Sequence, residues 1–360
     1  MKKPSLTPGL DGLPQSATLA INQRSADLQA QGRQVFRFGL GQSPFPVPDC
    51  VVRALQEHAA EKDYQPVQGL QALREAVASF HRRVDEVDVH ADGVLVGPGS
   101  KELMFLTQLA FDGDLLLPTP CWVSYAPQAR IAGRPVVRIP TTAAARWRLT
   151  GAQLDAVCAE APGRARLLIL NYPGNPDGDT YTVEELQDIA RACREHGIVV
   201  LSDEIYGPTH HAGEHVSIAR FHPEGTIISG GLSKWCGAGG WRLGTMTFPA
   251  ALGWLQSAVA SAASESFTSV SAPIQYAAVT AFTFGPEVQG YLAHSRRVLT
   301  ALGAELTRRL RAADVKLEYP RGGFYLWLDV SAHAAALSSA ASPSTCAAST
   351  VRCGRVPCAR

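Results

Sequence analysis

Short apolar runs alternate with helical stretches through most of the chain. The runs at residues 94–96, 115–117, 136–139, 167–170, 198–201, 226–229 and 243–248 have the length of buried strands. Between most of them the apolar residues recur at helical spacing. Upstream, residues 17–31 read as a helix ended by Gly32, Pro48 opens a second, and residues 69–83 form a third. In that third helix Leu70, Leu73, Ala76, Val77 and Phe80 share one face. Thr150 with Gln153 and Thr182 with Glu185 have the spacing of capping boxes, and Gly197 closes the helix that Thr182 starts. Strands that alternate with helices predict an α/β fold with a mainly parallel sheet. Such a sheet places ligands in the loops at the carboxyl ends of its strands.

After Pro249 the pattern becomes helical, with a long helix over residues 286–311 charged on one face. Strand-like runs at 315–319 and 324–330 follow and predict a smaller α+β domain. The first fifteen residues are rich in Pro and Gly and read as an arm. The last thirty, 331–360, are half Ala and Ser and lack Asp, Glu, Ile, Phe, Tyr and Trp. They read as a low-complexity, disordered tail. The expected division is an arm at 1–15, a large domain at 48–285, and a small, incomplete domain built from 16–47 and 286–330.

Charge narrows the possible partners. Lys plus Arg number 33 and Asp plus Glu 32, a formal net charge of +1, which argues against nucleic acid. No apolar stretch is long enough for a membrane helix, because Pro249 and Gln256 interrupt the best candidate. Lys2 and Lys3 lack the apolar run of a secretory signal behind them. Cys50, Cys121, Cys158, Cys193 and Cys236 are scattered singly, as in a reduced, cytoplasmic protein. His210, His211 and His215 have no supporting Cys or carboxylate pattern and read as a solvated loop rather than a metal site.

The loops that follow the strands carry the candidate chemistry. GPGSKEL leads into a helix whose N-terminus offers N–H groups to an anion. NYPGNPDG presents Asn175, SDEIYG carries Asp203, and GLSKWCGAGGWRLG holds Lys234 and Arg242. A lysine in apolar, glycine-rich surroundings forms imines with carbonyls. An Asp, a Lys, an Asn and an anion site at successive strand ends suit an aromatic aldehyde bearing a phosphate, which points to pyridoxal 5′-phosphate.

These stretches, together with YQPVQGLQALREAV and PTPCWVSY, resemble in order and spacing the class I/II aminotransferases, fold type I pyridoxal-phosphate enzymes. The resemblance runs from about Ser16 to Asp329. It implies a three-layer α/β/α large domain, a homodimer, and transfer of an amino group from an α-amino acid to a 2-oxo acid. It makes Lys234 the Schiff-base lysine and pairs Asp203 with the pyridinium nitrogen. Asn175 and Tyr206 would bond the ring phenolate oxygen, with Trp122 and Ile205 against the two ring faces. Gly99, Ser100, Lys101, Ser233 and Arg242 would hold the phosphate, Tyr64 the phosphate of the neighbouring subunit. Gly41 and Asn175 would meet the substrate. Tyr125 and Phe267 are further pocket-lining candidates.

Two departures stand out. Where the family usually has a phosphate-binding serine, three residues before the lysine, this chain has Gly231. Beyond GGFYLWLDV, at about Val330, the motifs end, and Arg352, Arg355 and Arg360 do not stand in the context of the family's substrate-carboxylate arginine. Two alternatives therefore stay open: an inactive remnant that still binds the cofactor, and a lyase, decarboxylase or synthase on the same plan.

Overall fold

The seven apolar runs become one sheet. In the computed structural model, which describes residues 5–36, 38–39, 41–211 and 213–333, the strands are β1 (Val94–Gly97), β2 (Asp114–Thr119), β3 (Val136–Pro140), β4 (Arg166–Asn171), β5 (Val199–Asp203), β6 (Thr226–Gly231) and β7 (Gly244–Thr247). Their order is β1-β7-β6-β5-β4-β2-β3. β3, β2, β4, β5 and β6 run parallel, and β7 is antiparallel to both β6 and β1.

Alternate residues along each strand feed opposite faces, as the pleat requires. Leu115, Leu117, Leu167, Ile169, Leu201 and Ile227 pack on one face with helices α4 (Ser100–Ala110), α5 (Tyr125–Ile131) and α8 (Gly253–Ser266). Leu116, Leu168, Leu170 and Val200 pack on the other with α6 (Gly151–Glu160) and α7 (Val183–Glu195). Further along that face Val94, Val96 and Ile228 meet α2 (Asp49–Glu57), α3 (Gln71–Phe80) and α9 (Ala272–Thr283). The apolar face predicted for the third helix is the buried one: Leu73, Val77 and Phe80 are within 5% of full burial. The result is the α/β architecture that the alternation predicts.

Both capping boxes form. Thr150 accepts from Gln153 N and Thr182 from Glu185 N, with each N3 side chain reaching back to the cap N–H. The first helix, α1, spans Ala17–Ala30, and α10 spans Pro286–Ala312. The segment before α1 lies against α5: Arg130 donates to Asp11 O, and Gly9 sits beside Arg130 O.

The C-terminal strands are shorter than expected. Among the described residues only β8 (Lys316–Leu317) and β9 (Leu328–Asp329) pair there, antiparallel. The run at 324–330 is therefore mostly loop. Its glycine pair is tied instead to the sheet's loops, through the His210–Gly322 bridge, Arg321 N to Gly178 O at 2.7 Å and Gly323 N to Thr209 O at 3.1 Å. The tail from 334, with Arg352, Arg355, Arg360 and its three cysteines, lies outside the described residues. Among the described residues no helix is long and apolar enough to cross a membrane.

Candidate active site

The parallel register puts the chemistry side by side. Asn171 at the end of β4 pairs with Asp203 at the end of β5, which pairs with Ser229 on β6. Asn171 then joins two loops: its Nδ2 donates to Asp203 O at 2.8 Å, and its Oδ1 accepts from Asn175 N at 2.8 Å. Asn175 is thereby tied to the end of β4, beside the strand that carries Asp203.

Asp203 is 3% exposed. Its carboxylate accepts from the Tyr125 hydroxyl at 2.6 Å and from Ile205 N at 3.4 Å. Burial pushes its pKa up to about 6, against the pull of these donors and of Lys234. The Lys234 amine donates to Gly41 O and lies 5.6 Å from the Tyr206 ring centre and 5.9 Å from that of Phe324. Burial pulls its pKa down to about 8, Arg242 adds to the shift, and Asp203 opposes it. The carboxylate and the amine are close enough for each charge to act on the other.

A cationic corner adjoins this pair. Gly99 ends the β1 loop and Ser100 begins α4. Arg242 donates to Gly239 O at 2.9 Å and to Pro98 O at 3.2 Å. A Cβ on Gly99 would lie 2.2 Å from the Arg242 guanidinium, so only glycine lets the arginine reach the helix N-terminus. Burial, with Arg242 second, lowers the pKa of Lys101. Its amine sits 5.4 Å above the Trp122 ring, which is edge-on to Tyr125 at 5.3 Å. Ser233 is half-buried beside Lys234.

Buried carboxylate, depressed amine and a helix-end cationic corner fit the cofactor that the motifs imply, group for group. Pairwise contacts link Lys234 with Gly41 and Tyr206, Tyr206 through Tyr325 with Asn175, Asp203 with Ile205 and Tyr125, and Tyr125 through Trp122 with Lys101, which feels the charge of Arg242. Tyr64 stands apart on the surface, 89% exposed. Phe267 packs between the apolar clusters of α3 and α8 rather than at the carboxylate.

The histidine loop corrects the sequence reading. His210 is buried, and His215 Nε2 donates to Glu204 Oε2 at 2.7 Å, the His215 and Glu204 side chains being at least nine-tenths buried. Burial acts to raise Glu204, but His215, Ser202 and Ser217 outweigh it and hold the carboxyl below its usual range. These groups brace the segment after Asp203 from behind. The His215 side chain is buried beside Glu204, eleven residues earlier, which supplies its counter-charge. Among the described residues no group of three such side chains could hold a metal ion.

Gly231 is explained by its backbone. Its φ is +145°, and a Cβ there would lie 2.7 Å from Leu243 O and 2.8 Å from Gly244 Cα on the paired strand. A serine does not fit while β6 and β7 stay paired. Gly231→Ser is expected to lower stability by about 1–3 kcal/mol and to gain no cofactor affinity. Urea unfolding and a pyridoxal-phosphate titration check both halves, and tighter binding at unchanged stability would count against this account.

Residues 33–355 match the family model for aminotransferase class I and II. The chain belongs to that family. The match runs past residue 330, where the motifs end. Among relatives of this aminotransferase, the aspartate aminotransferase of Bacillus sp. strain YM-2 is 33% identical over 328 residues, 88% of this chain and 81% of that protein. The aspartate/prephenate aminotransferase of Thermus thermophilus is 32% identical over 321 residues, 88% of this chain and 82% of that protein. The solved structure of Thermus thermophilus aspartate aminotransferase with maleate has a TM-score of 0.86 and 30% identity, covering 92% of this chain and 86% of that one. An aromatic aminotransferase from Pyrococcus horikoshii has a TM-score of 0.77 at 28% identity, covering 84% and 82%.

Two residues of this enzyme's site escaped the sequence reading in part or whole. Tyr125 was visible only as a lining residue, although its position in PTPCWVSY, three residues after Trp122, put it on the Asp203 side. Tyr325, in GGFYLW, carried no signal beyond the motif, because its neighbours Tyr206 and Asn175 are 119 and 150 residues away.

Proposed function

We propose that this aminotransferase moves an amino group from an α-amino acid to a 2-oxo acid using pyridoxal 5′-phosphate bound at Lys234. The observation that carries the reading is the half-buried Lys234 amine, drawn down to about 8, within reach of the charge on the buried Asp203 carboxylate and donating to Gly41 O. When bound, the cofactor supplies an aldehyde carbon and an electron-withdrawing ring. At pH 7 roughly a tenth of the Lys234 amine is unprotonated, far more than in an ordinary lysine, and this neutral form is fit to attack a carbonyl and to take a proton from the substrate's α-carbon. Asp203 is the partner for a cationic ring nitrogen. Arg242, Lys101 and the α4 N-terminus are the partners for a phosphate. Trp122 and Ile205 fix the ring plane, and Gly41 offers its backbone to the substrate.

The working unit is a homodimer in the cytoplasm. Tyr64 is almost fully exposed, and Phe36, Phe38, Leu6 and Leu19 are exposed on the N-terminal segments, apolar surface that a second copy would cover. Cys50, Cys158, Cys193 and Cys236 are unbridged, consistent with a reducing compartment. The relatives' names make aspartate the first donor to test.

The test is the half-reaction. Protein loaded with pyridoxal phosphate should turn yellow, and borohydride should fix the cofactor on Lys234. An amino acid should bleach the colour and release its 2-oxo acid. Colour without bleaching by any amino acid would instead mark an inactive binder, and release of carbon dioxide a decarboxylase.

A further inference from the structure

The Tyr325 hydroxyl stands between the two side chains assigned to the cofactor's phenolate oxygen. It is 2.7 Å from the Tyr206 hydroxyl, and Asn175 Nδ2 donates to it at 3.4 Å. The Tyr325 ring is edge-on to Tyr206 at 5.5 Å, and Phe324 holds Tyr206 from another side at 5.6 Å.

We propose that Tyr325 is a positioning residue for amino transfer, which turns the Tyr206 hydrogen toward the cofactor oxygen. The inference rests on the pyridoxal-phosphate reading above. It turns on the count of hydrogens. Each phenol has one, and the Asn175 amide nitrogen has only donors. Asn175 donates to Tyr325 and also bonds the Tyr206 hydroxyl, and the hydrogen between the two phenols can run either way; the proposed direction gives the Tyr325 hydrogen to the Tyr206 oxygen. The Tyr206 hydrogen then has no acceptor within this trio and is free for the phenolate. The opposite direction would spend it on Tyr325. Donation into Tyr206 also polarises its O–H, making it a stronger donor.

Two features hold the phenol in place. A Cβ on Gly41 would lie 1.9 Å from the Tyr325 oxygen, so the missing side chain at Gly41 is what admits the hydroxyl. The preceding turn is clamped from both sides. Gly322 N donates to Gly178 O at 3.0 Å, in the loop that bears Asn175, and the His211 ring bonds Pro320 O at 3.1 Å and Gly323 O at 2.8 Å. Burial keeps both phenols protonated, Tyr325 up to about 12 and Tyr206 well above its usual range.

The experiment follows the yellow cofactor–lysine linkage of the loaded protein by absorbance against pH. Donors to the phenolate lower the pKa of that linkage, so Tyr325→Phe, which keeps the ring and removes the hydroxyl, should raise it by roughly half a unit to one unit. kcat should fall several-fold, with KM for the amino acid changed less. Tyr206→Phe should raise the pKa further, and adding Tyr325→Phe to it should add nothing. Gly41→Ala, which expels the phenol, should reproduce the Tyr325→Phe shift. An unshifted pKa in Tyr325→Phe, or additive shifts in the double variant, overturns the proposal. If the unsubstituted protein takes up no cofactor, the cofactor reading fails first and takes this inference with it.

Discussion

Replacing Lys234 by alanine is expected to slow amino transfer by about 10⁴-fold or more. The residue has two duties in the proposed reaction, attachment and proton transfer, and both need an amine that is neutral part of the time. The site arranges that. Burial, with Arg242 nearby, draws the amine down to about 8, while Asp203 keeps it from falling further. Lys234→Arg is the sharper variant. Arginine keeps the charge and most of the length, but its guanidinium stays protonated in proteins, so it can neither attack a carbonyl nor accept a proton. Both variants should therefore fail alike. A small primary amine added to Lys234→Ala should restore part of the rate, because the chemistry needs an amine rather than this side chain. Single-turnover rates of amino-acid bleaching measure the effect. A loss below tenfold in either variant would refute the assignment of Lys234.

Legibility in the sequence followed the range of the interactions involved. The strands, the helices and both capping boxes are local patterns. Thr182 and Glu185 are three residues apart, and the box forms as read. The site was legible where a motif sits at a strand's carboxyl end, since a parallel sheet gathers those ends whatever the spacing between them. Asn171, Asp203 and Ser229 meet in this way through register alone. What the sequence concealed depends on partners far along the chain. His215 looks solvated among Gly213, Glu214 and Val216, and only the buried Glu204 carboxylate makes its burial affordable in energy. The run at 324–330 has the composition of a strand. Yet the backbone at 321–323 bonds to Gly178 and Thr209 on other loops, and this brings Phe324 beside Lys234 and Tyr325 beside Tyr206 and Asn175. Gly231 read as a lost phosphate donor, but the approach of Gly244 on the neighbouring strand excludes any side chain there.

Asp203→Asn should give opposite results in two measurements. Amino transfer should fall by about 10²–10³-fold, because the fixed negative charge that faces the ring nitrogen disappears. The cofactor-free protein, however, should become more stable near neutral pH. Burial has raised this carboxyl from 3.8 to about 6. A raised carboxyl binds its proton more tightly in the folded chain than in the unfolded one. Its favourable contribution is complete below the unfolded value and is lost as pH rises through the folded one. At neutral pH the ionised Asp203 therefore costs roughly 3 kcal/mol relative to an unperturbed aspartate. Asparagine has no proton to lose and can still accept from the Tyr125 hydroxyl through its side-chain oxygen. The gain in stability should be near zero where the carboxyl is protonated, grow between the two pKa values, and level off above the higher one. Urea unfolding of both cofactor-free proteins across that range reads it directly. Equal stability at neutral pH would show that Asp203 is not strained by its burial. Such strain has a function if the missing counter-charge arrives with the ligand, since a cationic ring nitrogen beside Asp203 relieves the cost only in the complex. The carboxylate then gives up stability in the free protein to bind the cofactor's protonated form.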